Sequence, residues 1–215
     1  MATVKTIAIV GATSKMGAAA AKNLSSGNYR LLLMAENVDE LESLKSDLAE
    51  AKAEVMTAAC AKDACWEADI IILATPYESF RDVAEKIREV ATGKIVISIS
   101  NTLNEKYNEL VQSLNTSAAE ELQKMLPHSK VVKTFNTTLA AKYISPAIHS
   151  ENADAFIAGN NGSAVTTVFE LLQSAGFNPI VAGDLSVSRI LERMQWLLQL
   201  PGGRENFEQL KSTFN

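Results

Sequence analysis

The sequence predicts an α/β protein: a doubly wound parallel sheet over residues 1–145, with a small C-terminal α/β extension over residues 146–215 packed on it. Short apolar runs alternate with segments of helical periodicity along the chain. The runs are apolar at successive positions, as strands covered by helices on both faces must be. The first run stops at Gly11, and Gly17 stands where the following helix opens.

Each element has its own warrant. Val4 to Val10 is β-branched and apolar, and the alanine-rich "KMGAAAAKNL" follows as a helix closing at "SSGN", where glycine suits a left-handed turn. "YRLLLMA" is the second strand. Leu41, Leu44 and Leu48 recur at helical spacing behind a cap formed by Asn37 and Glu40. "AEVMTAA" is a third, weaker strand. "ADIIILATP" and "GKIVISIS" are the fourth and fifth, separated by a helix whose inward stripe is Phe80, Val83, Ala84, Ile87 and Val90.

From Thr102 to Pro127 the pattern is polar and helical, and "SKVVKTF" supplies a sixth strand that completes the sheet. The tail holds "ADAFIAG", a helix from about Ser163 to Ala175 stopped by Gly176, the short apolar "NPIVAG" and a last helix. That helix carries Val187, Ile190, Leu191, Met194, Leu197 and Leu198 on one stripe, which closes onto the core or onto a twin subunit in a homodimer.

Composition narrows the function. With 215 residues and 47% apolar content, a single core is affordable and disorder is excluded. A net charge of −5 without a basic run excludes a nucleic-acid partner. No stretch approaches the roughly 20 apolar residues that span a bilayer, and the first apolar run is too short for a signal peptide. A soluble cytoplasmic protein with no membrane partner is expected. Cys60 and Cys65 form no CxxC pair and have no histidine nearby, so no metal site is expected. His128 and His149 stand in loops with no carboxylate or serine at a telling spacing, and are read as surface residues.

The chemistry concentrates at "GATSKMG". A strand ending in glycine, a tight turn and a helix opening at a second glycine make a cradle for a pyrophosphate: the first glycine permits the turn, the last lets helix and strand pack closely, and the helix N–H groups attract the anion. The spacing departs from GxGxxG, with Ser14 where a longer form of the loop has its middle glycine. The hydroxyls of Thr13 and Ser14 can themselves donate to phosphate. Glu36, at the end of the second strand, can accept from the adenosine ribose hydroxyls and would repel a 2′-phosphate, favouring NAD over NADP.

Beyond these motifs, "ADIIILATPYESF", "KIVISISNTLNE", "SKVVKTFNTTLAAKY" and "AGDLSVSRILE" extend the pattern nearly end to end. With them the chain resembles the deazaflavin-dependent NADP oxidoreductase family, itself similar to the cytosolic reductase domain of six-transmembrane metalloreductases. The resemblance implies a Rossmann-like, two-part protein that passes hydride between a nicotinamide dinucleotide, NAD or NADP, and a flavin or deazaflavin co-substrate. It implies that Gly11, Thr13, Ser14, Lys15, Met16 and Gly17 line the pyrophosphate. Ala74, Thr75, Pro76, Ser100 and Asn101 would flank the nicotinamide half, with Asn136, and Thr137 beside it, near the reacting rings. Two departures stand out: Ala35 and Glu36 occupy the place of a Ser-Arg pair that grips a 2′-phosphate, and Thr102 replaces a proline.

Each position also has a structural reading. Pro76 can end a strand, Asn101 can cap a turn, and Asn136 can cap a helix. None of the four tyrosines has a lysine four residues on, against a short-chain dehydrogenase. The rivals to a reductase are a non-catalytic NAD(P)-binding sensor or regulatory protein, and a dimerisation module that binds no nucleotide.

Overall fold

Along the first strand, β1 (Lys5–Val10), side chains alternate between two buried layers. Ile7 and Ile9 join one apolar cluster, while Ala8 and Val10 join another on the opposite face. Such double burial is why the strand reads as a continuous apolar run. The computed structural model describes residues 4–101, 115–135 and 153–199.

The other strands are β2 (Tyr29–Met34), β3 (Glu54–Thr57), β4 (Ile70–Leu73), β5 (Ile95–Ser98), β6 (Lys130–Lys133), β7 (Asp154–Gly159) and β8 (Asn178–Gly183). One sheet holds all eight, in the order β3-β2-β1-β4-β5-β6-β7-β8. The first six run parallel. Helices α1 (Lys15–Leu24), α2 (Val38–Asp47) and α6 (Gly162–Ser174) supply the first apolar cluster, through Ala20, Leu24, Leu41, Leu44, Val168 and Leu172 among others. Helices α3 (Ala61–Glu67), α4 (Tyr77–Ile87) and α5 (Ala118–Met125) supply the second, through Ala64, Phe80, Ala84, Ile87 and Leu122. The expected doubly wound α/β architecture is thus present. From β1 the chain winds outward through β2 and β3, then returns to place β4 on the other side of β1, so the strand order reverses between β1 and β4. Connections leaving the carboxyl ends of those two strands diverge, and ligands of open α/β sheets bind in the crevice that results.

Four features differ from the sequence expectation. The sheet does not end at β6: β7 pairs with it antiparallel, Val132 opposite Gly159, and β8 pairs parallel with β7, so the tail covers an edge that β6 would otherwise expose. Helix α3 has no counterpart in the sequence pattern, because seven residues show little periodicity and its cap is a cysteine, Cys60, whose sulfur accepts from Asp63 N at 3.4 Å. Gly27 does not take the left-handed conformation, whereas Gly176 after α6 does, at φ +83°; a Cβ on Gly27 would instead meet the Tyr29 ring. Finally, the last helix, α7 (Ser188–Gln199), buries Ser188, Leu191 and Glu192 and leaves Ile190 58% exposed. Of the expected stripe Leu191 is buried and Ile190 is not, because Ser188 and Glu192 on the buried face find polar partners inside; the side chains of Leu197 and Leu198 lie outside the described residues.

Candidate functional site at the strand ends

Three successive strand ends, those of β1, β4 and β5, build the site. After β1, the N–H groups of Gly11 and Ala12 both donate to Met34 O, at 2.9 and 3.0 Å, tying the turn to the end of β2. Gly11 has φ +82°, and a Cβ there would lie 2.7 Å from Ala74 O. A Cβ on Gly17 would lie 2.2 Å from Gly11 O. No side chain fits at either position, in agreement with the roles read for the two glycines.

Ser14 is the N-cap of α1. Its hydroxyl donates to Ala74 O at 2.8 Å and accepts from Gly17 N at 3.0 Å, so its single hydrogen is committed to protein rather than held out for a phosphate. Ser14 N donates to Gly11 O, and Ala18 N donates to Ser14 O. Within this turn the N–H groups of Thr13, Lys15 and Met16 remain, at the positive end of the α1 dipole. Two residues beyond Met34, Glu36 is exposed, next to Asn37, whose Oδ1 caps α2 by accepting from Asp39 N and Glu40 N.

On the β4 side, Ala74 N donates to Val10 O at 2.8 Å. Thr75 Oγ1 is buried and has no hydrogen-bond partner, an orphan at the mouth of the site. Pro76 begins α4 without any side-chain cap. Ser100 Oγ donates to Thr75 O at 2.6 Å, linking the ends of β5 and β4.

At the end of β6 lies a feature that motif reading missed. Lys133 is fully buried and pairs with Glu192 of α7, itself 1% exposed, at 3.1 Å. The ammonium also donates to Ser100 O, to Ile99 O at 3.5 Å and to Asn101 Oδ1 at 3.4 Å. Glu192 in turn accepts from Ala118 N at 3.0 Å and Ala119 N at 3.4 Å, at the start of α5. Burial pulls the Lys133 ammonium below the usual lysine range, and the Glu192 carboxylate opposes that pull. Around the pair, the hydroxyls of Ser117 and Ser188 meet at 2.7 Å, and Arg189 grips Glu120 with two hydrogen bonds of 2.8 and 2.6 Å. Phe135, two residues after β6, sits at φ +65° with its ring edge-on to Phe177. A bulky side chain in the left-handed region marks local strain.

The structure therefore gathers Gly11, Thr13, Ser14, Lys15, Met16, Gly17, Ala74, Thr75, Pro76, Ser100 and Asn101 at adjacent strand ends, with Glu36 at the end of β2. Asn136 and Thr137 lie outside the described residues, as do Thr102 and His149. His128 is exposed. Burial pushes the Cys65 thiol up to about 12, so it keeps its proton at neutral pH. Among the described residues no cluster of three or more His, Cys, Asp or Glu could hold a metal ion, and no helix is long and apolar enough to cross a membrane.

Fold and site together define a Rossmann-like α/β protein with an anion-ready helix start at its strand-order reversal. More particularly, residues 6–102 match the family described as NADP oxidoreductase coenzyme F420-dependent, in line with the resemblance carried by the motifs. The chain is 33% identical over 142 residues to the F420-dependent NADP reductase of Methanocaldococcus jannaschii, covering 64% of this chain and 63% of that protein. It is 33% identical over 134 residues to the human metalloreductase STEAP2, covering 62% of this chain and 26% of that protein. The chain thus spans less than two thirds of the length of either relative. Among solved structures, a candidate F420-dependent NADP reductase from Arthrobacter sp. FB24 superposes with a TM-score of 0.76 at 25% identity, covering 87% of this chain and 88% of that one.

Proposed function

We propose that this chain is an oxidoreductase that binds a nicotinamide dinucleotide across the ends of β1, β4 and β5, and transfers hydride between it and a flavin-like or deazaflavin acceptor. The observation that carries the proposal is the turn between Gly11 and Gly17: two glycines with no room for a Cβ, and N–H groups at Thr13, Lys15 and Met16 facing no acceptor of the turn. Such a turn suits a diphosphate. The names of the relatives, reductases of NADP and metalloreductases, support the same reading.

When bound, the dinucleotide supplies the hydride donor or acceptor, and the chain supplies position. Gly11 and Gly17 set the distance between turn and helix, and the α1 N–H groups hold the diphosphate. Glu36 accepts from the ribose hydroxyls, which favours NAD over NADP. Thr75, with its unpartnered hydroxyl, and Pro76, Ser100 and Asn101 flank the nicotinamide half, while Asn136 and Thr137 are assigned to the acceptor on the strength of their motif alone. In this reading the protein acts in the cytoplasm, and a homodimer is the alternative use of its last helix.

Stopped-flow absorbance at the nicotinamide band tests the proposal, with NADH and NADPH each offered flavin mononucleotide and a deazaflavin. The expected result is oxidation of the reduced nicotinamide with at least one acceptor. Tight binding without turnover would instead assign a sensor, and absence of binding would remove both readings.

A further inference from the structure

The buried Lys133–Glu192 pair is hard to explain by stability. Taking two charges out of water costs more than their attraction usually returns, and apolar replacements of similar volume are commonly neutral or stabilising. Its geometry is more telling. Glu192 belongs to α7, 59 positions from Lys133 in the chain, and its oxygens are already held by Ala118 N and Ala119 N at the start of α5, where the helix dipole favours an anion. The carboxylate is thereby fixed in place before the lysine is considered. An ammonium has three hydrogens and no acceptor. With one directed at Glu192 Oε1, the other two are shared among three acceptors of the segment that ends β5: Ser100 O, and the more distant Asn101 Oδ1 at 3.4 Å and Ile99 O at 3.5 Å.

We infer that Lys133, anchored by Glu192, is a positioning residue that orients residues 99–101 toward the nicotinamide half of the cofactor. This rests on the dinucleotide-binding reading above and deepens it. Because Asn101 Oδ1 receives the lysine, the amide is oriented and its NH₂ is the group left to donate. A nicotinamide carboxamide oxygen is a matching acceptor. Ser100, whose carbonyl Lys133 also holds, is tied through its hydroxyl to Thr75 O, so one ammonium sets the ends of both β4 and β5. The adenosine half, bound at β1 and β2, makes no use of it.

That asymmetry defines the experiment. Calorimetry on the full chain compares the dinucleotide that the wild type prefers, NADH or NADPH, with its fragment lacking nicotinamide, ADP-ribose or 2′-phospho-ADP-ribose. The test variant is Lys133→Met with Glu192→Gln, which removes both charges yet keeps one oxygen able to accept at the start of α5. We expect fragment affinity within about twofold of wild type and dinucleotide affinity lower by about tenfold, the worth of one or two hydrogen bonds. A variant that keeps the full nicotinamide increment overturns the inference, as does an equal loss for both ligands, which would mark a merely structural role. If the double variant does not fold, Asn101→Ala decides: loss of the increment supports the positioning role, and its retention overturns it. Wild type binding dinucleotide and fragment equally overturns the positioning role alone, whereas wild type binding neither overturns the dinucleotide reading as well.

Discussion

The two ends of the proposed cofactor site are built by opposite means. At the β1–α1 end, the binding groups are backbone N–H groups, and the side chains chiefly stay out of the way: two glycines, and a serine hydroxyl turned inward to Ala74 and Gly17. At the β5–β6 end, placement depends on a buried ammonium and a buried carboxylate, braced by Ser117, Ser188 and the Arg189–Glu120 pair. The first end is spelled out within seven residues, and Met34 O and Ala74 O, from the ends of β2 and β4, then close around it. The second needs elements far apart in sequence to arrive together, so a site can be half motif and half tertiary arrangement.

The contrast can be broken most forcefully at Gly17. Gly17→Val would drive side-chain carbon into Gly11 O, since even the Cβ would lie 2.2 Å away, and neighbouring backbone can give way only at the cost of the turn. We expect a loss of about 3 kcal/mol in stability and no measurable dinucleotide affinity, read by denaturant melts and calorimetry. Native affinity in that variant would mean that the backbone cradle is not the binding element.

A smaller effect sharpens the comparison from the adenosine side. Glu36 is exposed and its proposed role concerns the ligand alone, so Glu36→Arg should leave stability unchanged while moving relative affinity toward NADPH by about tenfold, a change of about 1.4 kcal/mol. Unaltered relative affinities in a competition titration would show that Glu36 does not read the ribose.

The smallest effect concerns the brace on the other side. Burial alone would raise the Glu120 carboxyl, but hydrogen bonds from Arg189 and Ser117 outweigh it and hold the group below the glutamate value of 4.5. A carboxylate depressed in the folded state adds stability that is present above its unfolded value and disappears as pH falls through the folded one. Melting temperature should therefore drop as pH goes below about 4.5, and Glu120→Gln should flatten that part of the profile. An equally steep profile in the variant would mean that other carboxylates govern the acid limb.

Legibility followed the same division. The turn at Gly11–Gly17 is readable because its signature is local: a positive φ at Gly11, the approach of Gly17 to Gly11 O and a helix start all fall within seven residues, although the crowding of Gly11 against Ala74 O comes from β4. Asn37 as the cap of α2 and the buried Phe80, Ala84 and Ile87 of α4 were readable because caps and stripes obey fixed spacings. Lys133 did carry a signal, a cation inside the apolar "VVKTF", yet nothing in that stretch names its partner. For α7 the hydrophobic stripe pointed at Ile190, which is exposed, because a pattern rule counts Glu192 as a surface residue and cannot know that a lysine and two N–H groups await it.

By itself, then, the chain's order of residues determined the doubly wound sheet, the places of its first six strands and the glycine turn, since each depends on burial or backbone freedom within a few neighbouring positions. Tertiary structure alone decided that the tail extends the same sheet through an antiparallel β7, and that Lys133 meets Glu192. An open strand edge and an unpaired buried charge both demand a partner, but which distant segment satisfies them is settled only when the elements pack.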